Sequence, residues 1–251
     1  MDVKELKPFH VTKWLERHSQ WQSSSRRSAI VVVKQAMNWA TDEGLIEVNP
    51  IKKLRKPEAK HRDRILTAEE RQQIFDSYDA DDPFRDLLLA LQETGARPGE
   101  IAAVTAKDAN LEVGVWVLAN HKTAKKTGQP RVIILTPTMI ELIRKLMALH
   151  PEGPLFRNRK GGPWNRNAIR CRFRRIREKL KLGDNVVAYL YRHTFTTDAL
   201  ENGAGLAEVC ELLGHTSTEM VMRHYNHIRQ RREHLRQAAM KATQAKTDEN
   251  N

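Results

Sequence analysis

The chain of 251 residues carries 43 lysines and arginines against 31 aspartates and glutamates, a formal net charge of +12, with 40% hydrophobic residues. That apolar content suffices for a packed core, so the excess charge lies on a folded surface, and a polyanion, with nucleic acid first, is the expected partner. Cys171 and Cys210 are too few and too far apart for a disulfide framework or a zinc site, and no stretch has the length of a membrane span or the core of a signal peptide, so a soluble cytoplasmic protein with no membrane partner is expected.

Taken in chain order, the first 47 residues read as helical. Pro8 opens a short segment to about His18, and SSSRRSAIVVVKQAMNWATDEGLI forms a longer one, with Ile30, Val33, Ala36, Met37 and Ala40 at helical spacing and Gly44 at its end. The stretch NPIKKLRKPEAKHRDR (49–64) then brings two prolines and seven basic residues, the composition of a linker. A helical unit over 1–57, a basic linker over 58–65, a second domain over 66–241 and a polar, disordered tail over 242–251 are the resulting expectation.

In the second domain, Thr67 and Glu70 form a capping box, and Pro83 opens a helix whose Phe84, Leu87, Leu88 and Leu91 share a face before Gly95. VGVWVLA (113–119) and RVIIL (131–135) read as strands joined by the basic loop NHKTAKKTGQP. Thr136 and Pro137 cap a helix carrying Met139, Leu142, Ile143 and Leu146. Residues 167–182 then place Ile169, Phe173, Ile176 and Leu180 on one face with five arginines elsewhere around it. Short helices centred near 195, 209 and 222 follow. The fold class expected is mainly α with a small antiparallel β-sheet (α+β).

Four constellations stand out, each with an ordinary reading beside it. In ETGARPGEI (93–101), Arg97 sits in the break between two helices with Glu100 a turn on; a surface ion pair of small worth is the plain alternative. The tip of the hairpin holds Lys122, Lys125 and Lys126, a solvated loop or a set of groups able to reach DNA or deliver a proton. In AYLYRHTFTTDAL (188–200), Tyr189 and Arg192 lie three apart on one helical face, which also describes an amphipathic helix with an exposed arginine. In LLGHTSTEMVMRHYNHI (212–228), His215 follows Gly214, where it also suits a simple helix cap, and Tyr225 sits among His224, Arg223 and His227. Their order in a basic chain suggests more: two arginines and a histidine can neutralise a phosphodiester, a tyrosine can attack it, and a lysine can protonate the departing oxygen.

Over roughly residues 65–240, these segments resemble the tyrosine recombinase (phage integrase) family, through ALQETGARPGEI, HKTAKKTGQPRVIIL, YRHTFTTDAL and LLGHTSTEMVMRHY in that order. The resemblance implies a catalytic domain preceded, over residues 1–57, by part of a helical core-binding domain that completes a clamp on DNA. It further implies that Arg97 and Arg192 are the catalytic arginines, Lys122 the hairpin lysine, His215 the phosphate-contacting histidine and Tyr225 the nucleophile. Two positions depart from the family pattern. Tyr189 stands three residues before Arg192, where histidine is common, and Tyr225 comes one residue after the usual place, which His224 holds.

The activity so implied is site-specific recombination of double-stranded DNA through a 3′-phosphotyrosine, with no cofactor, metal or ATP, by a homo-tetramer on paired sites that is a monomer free in solution. The expected location is the cytoplasm, on the nucleoid in a bacterium. Alternatives are a DNA-binding relative with lost or impaired cleavage and a type IB topoisomerase-like enzyme. Candidate DNA contacts are Arg26, Arg27 and Lys34 on the second helix, Lys52, Lys53 and Arg55 after it, Lys125 and Lys126, and Arg170, Arg172 and Arg174, the last three as readers of the major groove.

Overall fold

The computed structural model describes residues 3–58, 64–121, 124, 128–215, 217–219, 221 and 240. The chain divides into two units, Met1–Arg62 and Asp63–Asn251. Among the described residues, no helix is long and apolar enough to cross a membrane.

In the first unit, α1 (Pro8–Glu16) begins on a proline whose fixed φ suits the first helical turn, and α2 (Ser23–Asp42) follows. Val11 and Leu15 of α1 meet Ile30 of α2 in a small core that also takes Ile51. The basic stretch from Asn49 onward is therefore not a free linker at its start. Ile51 is fully buried, Lys34 Nζ donates to the Lys52 carbonyl at 2.6 Å, and Arg27 Nη1 donates to the Pro57 carbonyl at 2.7 Å. An apolar side chain that removes itself from water draws its cationic neighbours along, and their carbonyls are then capped by cations of α2.

The second unit opens with α3 (Ala68–Asp76), whose capping box is present: Glu70 N donates to Thr67 Oγ1 at 3.1 Å and Thr67 N to Glu70 Oε2 at 3.2 Å. Next come α4 (Phe84–Thr94) and the short α5 (Pro98–Ala103). An antiparallel sheet of β1 (Ala109–Asn110), β2 (Val115–Leu118) and β3 (Arg131–Ile134) follows in the order β1-β2-β3. Then come α6 (Pro137–Leu149), α7 (Arg166–Leu180), α8 (Ala188–Glu201) and α9 (Leu206–Leu213). Trp116 and Ile133 of the sheet, Phe84 and Leu88 of α4, Ile143 of α6, Phe173 of α7 and Tyr191 of α8 share one core. A second cluster of Leu200, Val209, Leu213 and Val221 seats α9 against the end of α8.

The fold is mainly helical with one small antiparallel sheet. The sheet has a third strand that the sequence pattern does not announce, because β1 is two residues long. Strand β2 starts at Val115 rather than 113, since Asn110 Oδ1 accepts the backbone N–H groups of Glu112 and Val113, both at 3.1 Å, and turns the chain there. Residues 222–239, with most of the helix expected near 222, and the 242–251 tail lie outside the described residues.

Helix α8 is buried around most of its circumference, with Leu190, Tyr191, Arg192, Thr194, Thr196 and Leu200 all shielded. Leu66 N donates to Thr194 Oγ1 at 2.9 Å, and Arg71 on α3 pairs with Asp198 at 2.6 Å. The joint with α4 is closer still. Gly95 ends α4 with φ +57°, and a Cβ there would lie 2.5 Å from Cδ1 of Phe195 on α8. Gly95→Ala combines a disfavoured φ with that overlap, so it is expected to destabilise the second unit by about 3 kcal/mol, measurable as a lower urea midpoint.

Candidate active site

Arg97 is held by the turn in which it stands. Thr94 Oγ1 accepts the Ala96 N–H at 3.2 Å, closing α4, and Pro98 starts α5, leaving Arg97 extended between them. Glu100, buried one turn into α5, takes the Arg97 backbone N–H at 2.9 Å and Nη1 at 2.6 Å. A buried carboxylate bonded twice to one residue fixes both ends of that arginine, which a surface pair does not.

Arg192 is 2% exposed, so the picture of an amphipathic helix with a solvent-facing arginine does not hold. Its Nη1 donates to the Gly95 carbonyl at 2.9 Å, and Nη2 reaches the Leu213 carbonyl at 2.6 Å and His215 Nε2 at 2.8 Å. A guanidinium has no acceptor, so Nε2 is the acceptor and the imidazole proton sits on Nδ1. Burial, and next the charge of Arg97, lower the Arg192 pKa to about 10, which leaves it cationic at neutral pH.

His215 leaves the C-terminus of α9 through a Schellman turn. Gly214 has φ +60°, Gly214 N donates to the Glu211 carbonyl at 2.9 Å, and His215 N donates to the Cys210 carbonyl at 2.9 Å. This closure leaves the carbonyls of Leu212 and Leu213 to be satisfied by other groups. Arg192 takes Leu213; Arg131 of β3 takes Leu212 and reaches Glu211 at 3.3 Å. Three cations thus gather with one buried carboxylate: Arg97 and Glu100 both act on the charge of Arg192 and on that of Arg131, and burial lowers the Arg131 pKa first of all.

The arrangement is a basic centre in which Arg97, Arg192 and His215 come together from three separate segments. The sequence profile of the phage integrase family matches residues 64–232 of the chain. The chain belongs to the phage integrase family. A tyrosine recombinase XerC of Oceanobacillus iheyensis is 31% identical over 250 residues, covering 95% of this chain and 80% of the relative. A tyrosine recombinase XerD of Halalkalibacterium halodurans is 26% identical over 238 residues, covering 89% and 78%. Among solved structures, the XerH site-specific recombinase bound to a palindromic difH substrate superposes with a TM-score of 0.71 at 20% identity, over 95% of this chain and 73% of the other. A lambda integrase dimer bound to a COC′ core site gives 0.70 at 20% identity, over 86% and 81%. These two share the fold.

Of the other expected site residues in this phage integrase family member, Tyr189 stands near enough to Arg192 to raise its pKa. Tyr189 is 38% exposed, with its ring edge-on to His193 at 5.1 Å between centroids. Lys122, Lys125, Lys126 and Tyr225 lie outside the described residues. Lys52, Lys53 and Arg55 are exposed; Arg26 Nε donates to the Trp21 carbonyl at 3.2 Å, and Arg27 and Lys34 bond the carbonyls given above.

On α7, Arg170 and Arg174 are exposed, but Arg172 is a correction to the groove-reading set. It turns inward to Asp82 in a bidentate pair at 3.0 and 3.2 Å, its guanidinium ringed by Tyr78, Phe84 and Trp164. Two steps along a helix carry a side chain about 200° round, so Arg172 is opposite the face of Arg170. Asp82 also accepts the Phe84 N–H at 3.0 Å, joining the start of α4 to α7.

Arg131 is the functional-site residue that sequence reasoning missed. In RVIIL the apolar run hides the alternation, but Arg131, Ile133 and Leu135 all face inward. Register with the buried Trp116 and Leu118 would have revealed it, since Leu118 pairs with Arg131.

Asp82→Ala leaves the Arg172 guanidinium among aromatic rings without its carboxylate. It is expected to cost about 3 kcal/mol in urea unfolding, far more than Arg170→Ala on the exposed face.

Proposed function

We propose that this tyrosine-type site-specific recombinase breaks and rejoins double-stranded DNA through a 3′-phosphate linked to Tyr225. The observation that carries the reading is the buried Arg192 guanidinium, joined at once to the Gly95 turn beside Arg97, to the end of α9 and to His215. Three of its five N–H donors are engaged by these bonds, leaving others for a phosphate oxygen.

Arg97, Arg192 and His215 hold the non-bridging oxygens of the scissile phosphate and offset the charge that grows there as phosphorus becomes five-coordinate. The Tyr225 oxygen attacks phosphorus, the bond from phosphorus to the 5′ oxygen breaks, and Lys122 protonates that oxygen as it leaves. A 5′ hydroxyl from a second duplex then attacks the phosphotyrosine, returns a phosphodiester and frees the phenol. Because the covalent link conserves the bond energy, the cycle calls for no nucleotide, and the arginines do the electrostatic work otherwise given to a metal ion.

Residues 1–57 add backbone contacts through Arg26, Lys52, Lys53 and Arg55, and Arg170 and Arg174 read base edges. The working state is a homo-tetramer on paired sites, a monomer when free, acting in the cytoplasm. The chain's formal net charge of +12 supports a polyanionic substrate.

A nicked suicide duplex, in which the strand beyond the nick is lost after attack, tests the chemistry. The protein is expected to form a covalent adduct, and Tyr225→Phe to form none while still shifting the same DNA in a gel. An adduct that survives in Tyr225→Phe would remove Tyr225 as nucleophile. Relaxation of plasmids lacking any defined site, without recombination of paired sites, would make the enzyme a topoisomerase.

A separate expectation concerns α7. Arg170→Ala and Arg174→Ala are expected to narrow the affinity gap between the cognate site and random DNA by about tenfold each. An equal loss on both DNAs would make them backbone contacts.

A further inference from the structure

We infer that Arg131 is a positioning residue for His215, locking the end of α9 to the β2–β3 hairpin. The inference rests on the reading of His215 as a phosphate contact. The Schellman turn satisfies the carbonyls of Cys210 and Glu211 from within and leaves those of Leu212 and Leu213 without an internal donor. Two guanidiniums from different elements divide them, Arg192 of α8 on Leu213 and Arg131 of β3 on Leu212. Cations at a helix C-terminus are favoured by the helix dipole as well as by the hydrogen bonds. The residue that leaves this doubly capped terminus is His215.

The contact is steric as well as polar. A Cβ on Gly214 would lie 2.7 Å from Arg131 Cδ and 2.8 Å from Nε, so the backbone just before His215 rests directly on the arginine stem. Only glycine permits that approach together with φ +60°. Arg131 is 5% exposed and its terminal nitrogens face carbonyls, so it acts on the reaction through His215 and not by touching DNA.

Arg131 also pairs with Leu118 across the hairpin, so it stands where β3 resumes after the 119–130 segment that carries Lys122. One side chain therefore fixes the histidine of the site to the hairpin of the proposed proton donor.

Single-turnover cleavage of the nicked suicide duplex by the full chain tests this, with Arg131→Met, Arg131→Lys, His215→Ala and the double variant Arg131→Met/His215→Ala. Arg131→Met is expected to slow adduct formation by about 10²-fold, the scale on which a misplaced catalytic group acts, with gel-shift affinity for the DNA unchanged. In the His215→Ala background the same substitution is expected to cause no further loss, because a group that works only through the imidazole has nothing left to position. Arg131→Lys, which keeps one cation on the carbonyls, is expected to recover part of the rate. Losses that multiply in the double variant, or an Arg131→Met protein that cleaves normally, would overturn the proposal.

If His215→Ala itself cleaves normally, it is the phosphate-contact reading that fails. Should Arg131→Met not fold, Arg131→Lys and Gly214→Ala, each alone and combined with His215→Ala, make the same comparison. A slowed rate confined to the His215 background supports the proposal, and a normal or multiplied one overturns it.

Discussion

A charge buried beside a helix end must find oxygen atoms, and Arg192 finds them in separate parts of the chain. An unsatisfied guanidinium at that depth would cost several kcal/mol. The native arrangement avoids this only when the Gly95 carbonyl, the Leu213 carbonyl and His215 all stand within reach. Folding of the second unit and assembly of the site are consequently one event. Like charges resist it: Arg97 and Arg131 each lower the Arg192 pKa, while Glu100 raises it. The carbonyl dipoles and that carboxylate prevail, and what remains is a fixed cationic surplus suited to a phosphate.

The scaffold keeps this cluster from relaxing. Helix α8 is tied to the start of the unit through Leu66 and Thr194, to α3 through Arg71 and Asp198, and to α4 through Phe195 against Gly95. Thr194 and Asp198, four residues apart, share one face of the helix and Phe195 lies about 100° round from Thr194, so rotation about the axis breaks these ties. This accounts for the unusual character of α8, in which threonines and an arginine are buried as fully as leucines. Thr194 and Thr196 hydroxyls donate to the carbonyls of Leu190 and Arg192 at 3.0 and 2.7 Å, so their polarity is satisfied locally and their methyl groups pack.

Much of the architecture was legible in the sequence, because it depends on local rules. Thr67 with Glu70, Pro83 and Thr136 mark helix starts by chemistry that acts within four residues. The apolar spacing of α4, α6 and α7 reports which face meets the core. The resemblance placed Arg97, Arg192 and His215 in one site, but nothing local said how. The partners of Arg172 and Arg131 lie some 80 to 90 residues away, as Asp82 and the α9 carbonyls. A basic helix has no mark that separates the inward arginine from the outward ones, and a run of four apolar residues after Arg131 masks the period of two. The same limit hid the packed start of the basic stretch: Ile51 and Leu54 reveal their role only once α2 is there to receive them.

The inward stance of Arg131 sets a rule of parity on the hairpin. An addition between Leu118 and Arg131 leaves the alternation within each strand as it is, so the inward stance of Arg131 does not depend on the length of that segment. Within β3 itself the opposite holds. With the strand held at Leu135, deleting one residue between Arg131 and Leu135 would move Arg131 to the outward place of Val132 and turn its guanidinium away from α9, so sequence variation there can exchange side chains but not shift them by one.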